Sequence, residues 1–332
     1  MSTFDVRPSR RNLLASAAAL AAVPLAARGL SGLAEAAAPK LGTSQPRHWR
    51  YKIGAFELTT IADTEIFIDG PYPLIGGNAS EEEVAVLMRD NLLPTDAYQA
   101  GFSPTIVNTG REVVLFDTGN GENGFVSRPN GGWLAAGLAP AGFKPEEIDV
   151  VVITHGHSDH IGGLIEGGKP LFPNARYVIG AVEHDFWAPE GKHSGDLEGL
   201  AAVYRANTAP IADRFTFVKP GDEVVSGIHA VEAYGHTPGH LNFMIESEGK
   251  QLYIWADCAH HQVASLARPD WHCVFDIDKE QAAATRKRVF DMLATDRIPV
   301  VGYHMPFPSV GYVERLDASG YRWLAHTYQL NR

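Results

Sequence analysis

The sequence predicts one α/β domain with strands and helices interspersed. Three observations carry that reading. Of the 332 residues, 45% are hydrophobic, enough to bury a large core. Apolar runs of strand length alternate with capped helical segments along most of the chain. No repeat, low-complexity tract or linker divides the pattern.

Residues 1–38 stand apart from this domain. Ser9, Arg10, Arg11, Asn12, Leu13 and Leu14 precede an alanine-rich apolar run to about Leu33, followed by further small residues. A charged start, an apolar middle and small residues before a cut are the parts of an export signal. The adjacent Arg10 and Arg11 resemble the twin-arginine type. The expectation is an exported, periplasmic protein whose working domain is residues 39–332.

Within the domain, residues 56–68 and 105–119 read as strands with tight turns, and Asn108 to Glu112 carry a hairpin signal. Residues 80–93 read as a helix opened by a capping box, Ser80 with Glu83. Pro145 starts a short turn or helix that leads into the strand of residues 150–154. Residues 175–187, 228–236, 240–247, 251–259 and 298–304 supply further strands, some running into helices. A last helix, 278–296, is capped by Asp278 with Gln281, and its triplet Arg286, Lys287, Arg288 reads as a solvated face. The glycine-rich loop of about 120–140 is long enough to expect function or mobility there.

The net charge of −11, with no basic patch, argues against nucleic acid as a partner. No segment after the signal has the roughly 18 unbroken apolar residues of a membrane span. Cys258 and Cys273 could pair in an oxidising compartment or remain two thiols, and both readings stay open.

Chemistry is concentrated behind the hydrophobic runs. Asp117, His155, His236, Asp257 and His304 each follow an apolar strand, so strands lying side by side would bring them to one edge. The segment Val150 to Gly163 holds His155, His157, Asp159 and His160 within six positions. A tight turn cannot fold all four onto one tetrahedral ion. His155 and His157 point together at the strand end, while Asp159 and His160 come round on the next turn. Each pair therefore needs distant partners: His236 for the first, His304 for the second, and Asp257 for both through its two oxygens.

His155-x-His157-x-Asp159-His160 resembles the signature of the metallo-β-lactamase superfamily. The segments 235–240, 256–259 and 302–308 resemble its remaining motifs in order. More narrowly, 236–240, Asp185 to Trp187 and 304–308 look like the methyl parathion hydrolase branch, related to acyl-homoserine lactonases. The resemblance implies an αββα sandwich and two divalent metal ions, most simply zinc. Asp117 would brace a metal-binding histidine from behind. It also implies a metal-bridging hydroxide held by Asp257, with Asp159 as a proton relay, and substrate-facing aromatics Phe125, Trp133 and Trp187.

The implied activity is hydrolysis of a small neutral ester, lactone or aryl phosphotriester by that hydroxide. A homodimer is a further expectation. The same cage can host an aromatic dehalogenase or an iron-dependent oxidoreductase, and the bound metal separates these. Cys258 and His240 read as structural, and His260 and His261 as flanking the pocket mouth.

Overall fold

The computed structural model describes residues 44–126, 128–316 and 320–326. The expected export signal, residues 1–38, lies outside the described residues. The described residues from Pro46 onward form one compact unit.

Its frame is two seven-stranded sheets. The first runs His48–Ile53, Phe56–Ile61, Thr105–Asn108, Val113–Phe116, Val150–Ile153, Arg176–Gly180 and Phe215–Val218 in spatial order. The second runs Glu223–Val225, Ile228–Glu232, Leu241–Ser247, Lys250–Ala256, Val300–Gly302, Val310–Arg315 and Tyr321–Ala325. Alternation along each strand explains the layering, because successive side chains face opposite sides. Val150 and Val152 pack between the sheets with Phe243, Ile245 and Ile254 of the second sheet. Val151 and Ile153 face outward beneath Leu134, Leu138, Trp187 and Tyr204 of the covering helices. The strand is apolar at every position because helices and sheet bury both faces, each such side chain contributing roughly 1.5–3 kcal/mol. On the far side Val289, Phe290 and Leu293 of the helix Lys279–Asp296 cover Tyr253, Trp255 and Val300. The layers are therefore helix, sheet, sheet, helix.

Strand direction places the site. Val113–Phe116, Val150–Ile153 and Arg176–Gly180 are parallel, so their C-terminal ends share one edge. In the second sheet two antiparallel steps and one parallel step align Ile228–Glu232, Lys250–Ala256 and Val300–Gly302. The residues that follow these five-residue-or-shorter runs and the longer Lys250–Ala256 strand meet at that edge.

Both expected helix caps form: Ser80 and Glu83 make a capping box on Glu81–Asp90, and Asp278 accepts from the Gln281 N–H. The 56–68 segment splits into Phe56–Ile61 and Thr64–Asp69, which lie in different sheets. Asp63 stands at the break, and its carboxylate accepts from the N–H groups of Asn120 and Leu134. The glycine-rich loop is thereby pinned at both ends and includes the helix Leu134–Leu138. The Arg286 triplet is only partly a solvated face. Arg286 is 2% exposed and donates to the carbonyls of Cys258, Pro269 and Trp271, whereas Lys287 and Arg288 lie outward. Cys258 and Cys273 are buried and unpaired with each other. Among the described residues no helix is long and apolar enough to cross a membrane.

Candidate metal centre

The structure brings all seven residues read as ligands together, in two groups. His155, His157, His236 and Asp257 form one, and Asp159, His160, Asp257 and His304 the other, with the donor atoms of each group within 4.8 Å of one another.

In the first group, His157 Nδ1 lies 3.1 Å from His155 Nε2 and 2.9 Å from His236 Nε2. The two Nε2 atoms are 3.2 Å apart, and Asp257 Oδ2 lies 3.3 Å from His236 and 3.8 Å from His155. A tetrahedral ion with bonds of about 2.0–2.1 Å separates its ligand atoms by roughly 3.3 Å, so this spacing suits one ion. In the second group, His160 Nε2 lies 3.1 Å from Asp257 Oδ1 and 3.4 Å from Asp159 Oδ2. His304 Nε2 lies 3.1 Å from Asp257 Oδ2 and 3.6 Å from Asp159 Oδ2.

The outer nitrogens explain why these faces point inward. His155 Nδ1 meets Thr154 Oγ1 at 3.1 Å, and His160 Nδ1 meets Asp117 Oδ2 at 2.8 Å. His236 Nδ1 meets Asp276 Oδ1 at 2.9 Å, and His304 Nδ1 meets the Gly101 carbonyl at 2.8 Å. Each acceptor receives the Nδ1 N–H and so turns Nε2 toward the group. His160 Nε2 and Asp257 Oδ1 are buried without a hydrogen bond. Orphaned atoms of this kind are rare and ask for an ion or water. The residues present therefore fit a divalent cation in each group.

Electrostatics agrees. Burial, followed by the neighbouring His236, pushes His157 down to about 3, so it stays neutral. Burial opposes charge on His236 too, but hydrogen bonds and charges from Asp257 and Asp276 overcome it and raise it to about 9. Burial alone would raise the Asp159 carboxyl, yet the charges of His160 and His304 hold it at about 2. Asp257 is likewise held well below the usual carboxylate range against the pull of burial. Ionised carboxylates among imidazoles are the donor set of a cation site.

Asp117 sits in left-handed backbone, φ 59°. It accepts from Thr154 N–H at 2.8 Å and Thr154 Oγ1 at 2.9 Å as well as meeting His160. Those bonds hold a conformation that costs an L residue of order 1 kcal/mol or more. Three residues of this supporting layer carried no local signal. Asp276 follows no strand, Arg286 sits in a charged triplet, and Glu183 lies in an unremarkable helix start. Arg286 donates to Asp276 Oδ2 at 2.9 Å, so His236, Asp276 and Arg286 form a buried chain.

A cavity of about 860 Å³ opens above the two groups. Asp257, His157, Asp159 and His304 lie on its floor, and Tyr98, Phe102, Phe125, Leu197, Leu200 and Phe275 are among its walls. Phe125 thus faces the cavity, 56% exposed, edge-on to Phe275 at 6.4 Å. Trp187 does not. It is fully buried behind His157, 5.8 Å between rings, with its indole N–H on Glu183, because the helix Ala181–Trp187 turns its last side chain into the core. Trp133 does not line it either. Its indole donates to Pro129 and stacks under Arg47, which anchors the loop instead.

His240 is structural: Nδ1 meets the Ala233 carbonyl, and Nε2 accepts from the Asp257 N–H. His261 is also structural, accepting at Nδ1 from Val263 and Ala264 at the helix start, rather than flanking the mouth. His260 is 4% exposed, deep in the cavity, 3.4 Å from Asp257 Oδ2 and without a hydrogen bond at either nitrogen. Cys258 Sγ points away from the site, toward Asn242.

Comparison with known proteins agrees with this geometry. Residues 103–299 match the family described as Metallo-beta-lactamase superfamily. Among solved structures, the hydrolase AbOPH of the beta lactamase superfamily superposes with a TM-score of 0.79 at 25% identity, covering 86% of this chain and all of that one. AidC, a dizinc quorum-quenching lactonase, gives 0.76 at 26% identity, covering 85% of this chain and 98% of that one. Among curated relatives, an N-acyl homoserine lactonase of Bacillus cereus is 29% identical over 168 residues, 49% of this chain and 58% of the lactonase. Metallo-beta-lactamase domain-containing protein 1 of Mus musculus is 50% identical over 81 residues, 24% of this chain and 25% of that protein. The chain thus spans under two thirds of either curated relative. With the motif residues converged at one edge of an αββα sandwich, the chain belongs to the metallo-beta-lactamase superfamily.

Proposed function

We propose that the protein is a dinuclear metal-dependent hydrolase for a small neutral ester, lactone or aryl phosphotriester. The observation that carries this reading is the pair of His/Asp groups sharing Asp257 on the floor of an apolar cavity. His155, His157 and His236 would hold one ion and Asp159, His160 and His304 the other, with Asp257 between them. Zinc is our choice of metal, since imidazole and carboxylate suit it and AidC is a dizinc protein. Two such ions, when bound, supply a hydroxide nucleophile near neutral pH and positive charge for the oxygen that becomes negative.

The chain's own residues do the rest. Asp117 and Asp276 orient their histidines, and the ionised Asp159 and Asp257 balance the cationic charge. The apolar walls exclude water and favour an uncharged substrate. Asp159 is the proton carrier we assign, although its low pKa favours substrates with activated leaving groups that need little help. The lactonase relatives support the ester and lactone side of the reading, and the motif resemblance supports the phosphotriester side. Export through the twin-arginine route, on Arg10 and Arg11, belongs to the same proposal.

The test is kcat/KM on an acyl-homoserine lactone, an aryl dialkyl phosphotriester and an aryl acetate, with metal content measured on the same sample. Two zinc-like ions and a clear preference for one substrate establish the reading and choose within it. Silence on all three with iron bound overturns it in favour of the oxidative alternative.

A further inference from the structure

Glu183 is a ligand in neither group, yet its carboxylate holds that site together. It lies in the first turn of the helix Ala181–Trp187 and is fully buried. Oε1 accepts from the Gly156 N–H at 2.7 Å and from the Trp187 indole N–H at 2.7 Å. Oε2 accepts from the Thr237 hydroxyl at 2.7 Å and from the Gly239 N–H at 2.9 Å. Gly156 separates His155 from His157, and Thr237 and Gly239 follow His236. One carboxylate therefore ties the loop that carries two imidazoles of the first group to the loop that carries the third.

The approach is close enough to demand both glycines. A Cβ at Gly156 would lie 2.5 Å from Trp187 Cδ1, and one at Gly239 would lie 2.1 Å from the Glu183 nitrogen. The second group has separate supports. His160 rests on Asp117 and His304 on the Gly101 carbonyl, and none of the four bonds to Glu183 reaches either.

We propose that Glu183 is a positioning residue that sets the spacing of these two loops, and with it the metal affinity of the first group, leaving the second group to its own braces. The inference rests on the metal reading proposed above. Four donors converge on two oxygens, so only an acceptor at both oxygens satisfies them. Glutamine would turn an amide NH₂ toward one pair of donors, and the loops would separate. The three nitrogens now stand 2.9–3.2 Å apart, so a small separation removes the common point they share.

The experiment is zinc titration of the metal-stripped full chain against a chromophoric chelator, for wild type, Glu183→Gln and Asp117→Asn, with thermal melting alongside. For Glu183→Gln one class of site should weaken roughly 10–100-fold while the other stays within about threefold, the range found for outer partners of metal ligands. Asp117→Asn, which touches His160 directly and reaches His155 only through Thr154, should weaken the other class most. A wild-type chain that takes up no zinc overturns the metal reading and the inference with it. Two classes in wild type, with Glu183→Gln leaving both unchanged or lowering both alike, overturns the inference alone. Should Glu183→Gln not fold, Thr237→Val decides. It removes one of the four donors, and a selective loss in one class supports the positioning role, whereas equal or absent loss overturns it.

Discussion

Replacing Arg286 with methionine separates the sequence reading of this residue from its place in the structure. On a solvated face the change should cost within about 0.5 kcal/mol. In the structure the guanidinium is 2% exposed, pairs with Asp276 at 2.9 Å and donates to three main-chain carbonyls at 2.8–3.0 Å. Methionine fills much of the volume but leaves the Asp276 carboxylate buried with His236 as its remaining partner. Breaking a buried ion pair on one side costs about 3–5 kcal/mol. At about 2–4 °C per kcal/mol for a domain approaching this size, the melting temperature should fall by roughly 6–20 °C. Thermal melting of Arg286→Met beside Lys287→Met, an exposed neighbour in the same triplet, measures the difference directly. A shift under about 2 °C for Arg286→Met, equal to that of Lys287→Met, would refute the buried chain as a structural element.

Three further outcomes follow from the same geometry. Asp257→Ala should abolish activity and lower bound metal by more than one equivalent, since both groups lose a donor, and retention of two ions at full rate would sink the shared-carboxylate arrangement. Trp187→Ala should cost about 3–5 kcal/mol in a denaturant melt, because the ring is fully buried, whereas Phe125→Ala should leave stability within about 1 kcal/mol and raise KM for aryl substrates several-fold; the reverse pattern would exchange their roles. In the metal-free protein His236 is raised to about 9 and so carries a proton at pH 7 that an incoming ion must displace. Zinc affinity should therefore climb as pH rises through about 9, with proton release at pH 7 seen as buffer-dependent heat in calorimetry. Heat independent of the buffer would refute this protonation state.

The ligand set was legible because His155, His236, Asp257 and His304 each follow an apolar strand, and the other three ligands lie in the turn that His155 opens. The turn from His155 to His160 could be parsed from backbone geometry alone, and the pairing into two groups needed only a count of donors. The supporting residues could not be read this way. Asp276 and Arg286 lie 40 and 50 positions from His236, Glu183 lies 26 from His157 and 53 from His236, and a carboxylate in a helix start looks the same whether it faces water or four donors.

The aromatic side chains show the same division. Sequence places Phe125, Trp133 and Trp187 in loops and a helix end, but which of them meets the cavity depends on the direction each backbone segment takes against the sheets. Asp63 pins the glycine-rich loop and leaves Phe125 at the cavity, while the helix Ala181–Trp187 rotates Trp187 under His157. The sequence by itself determined the strand order of chemistry, the α/β class and the residues able to hold metal, because those rest on periodicity and side-chain type. Only the tertiary structure decided burial and hydrogen-bond partnership, since both are properties of segments distant in the chain that folding brings within 3 Å of one another.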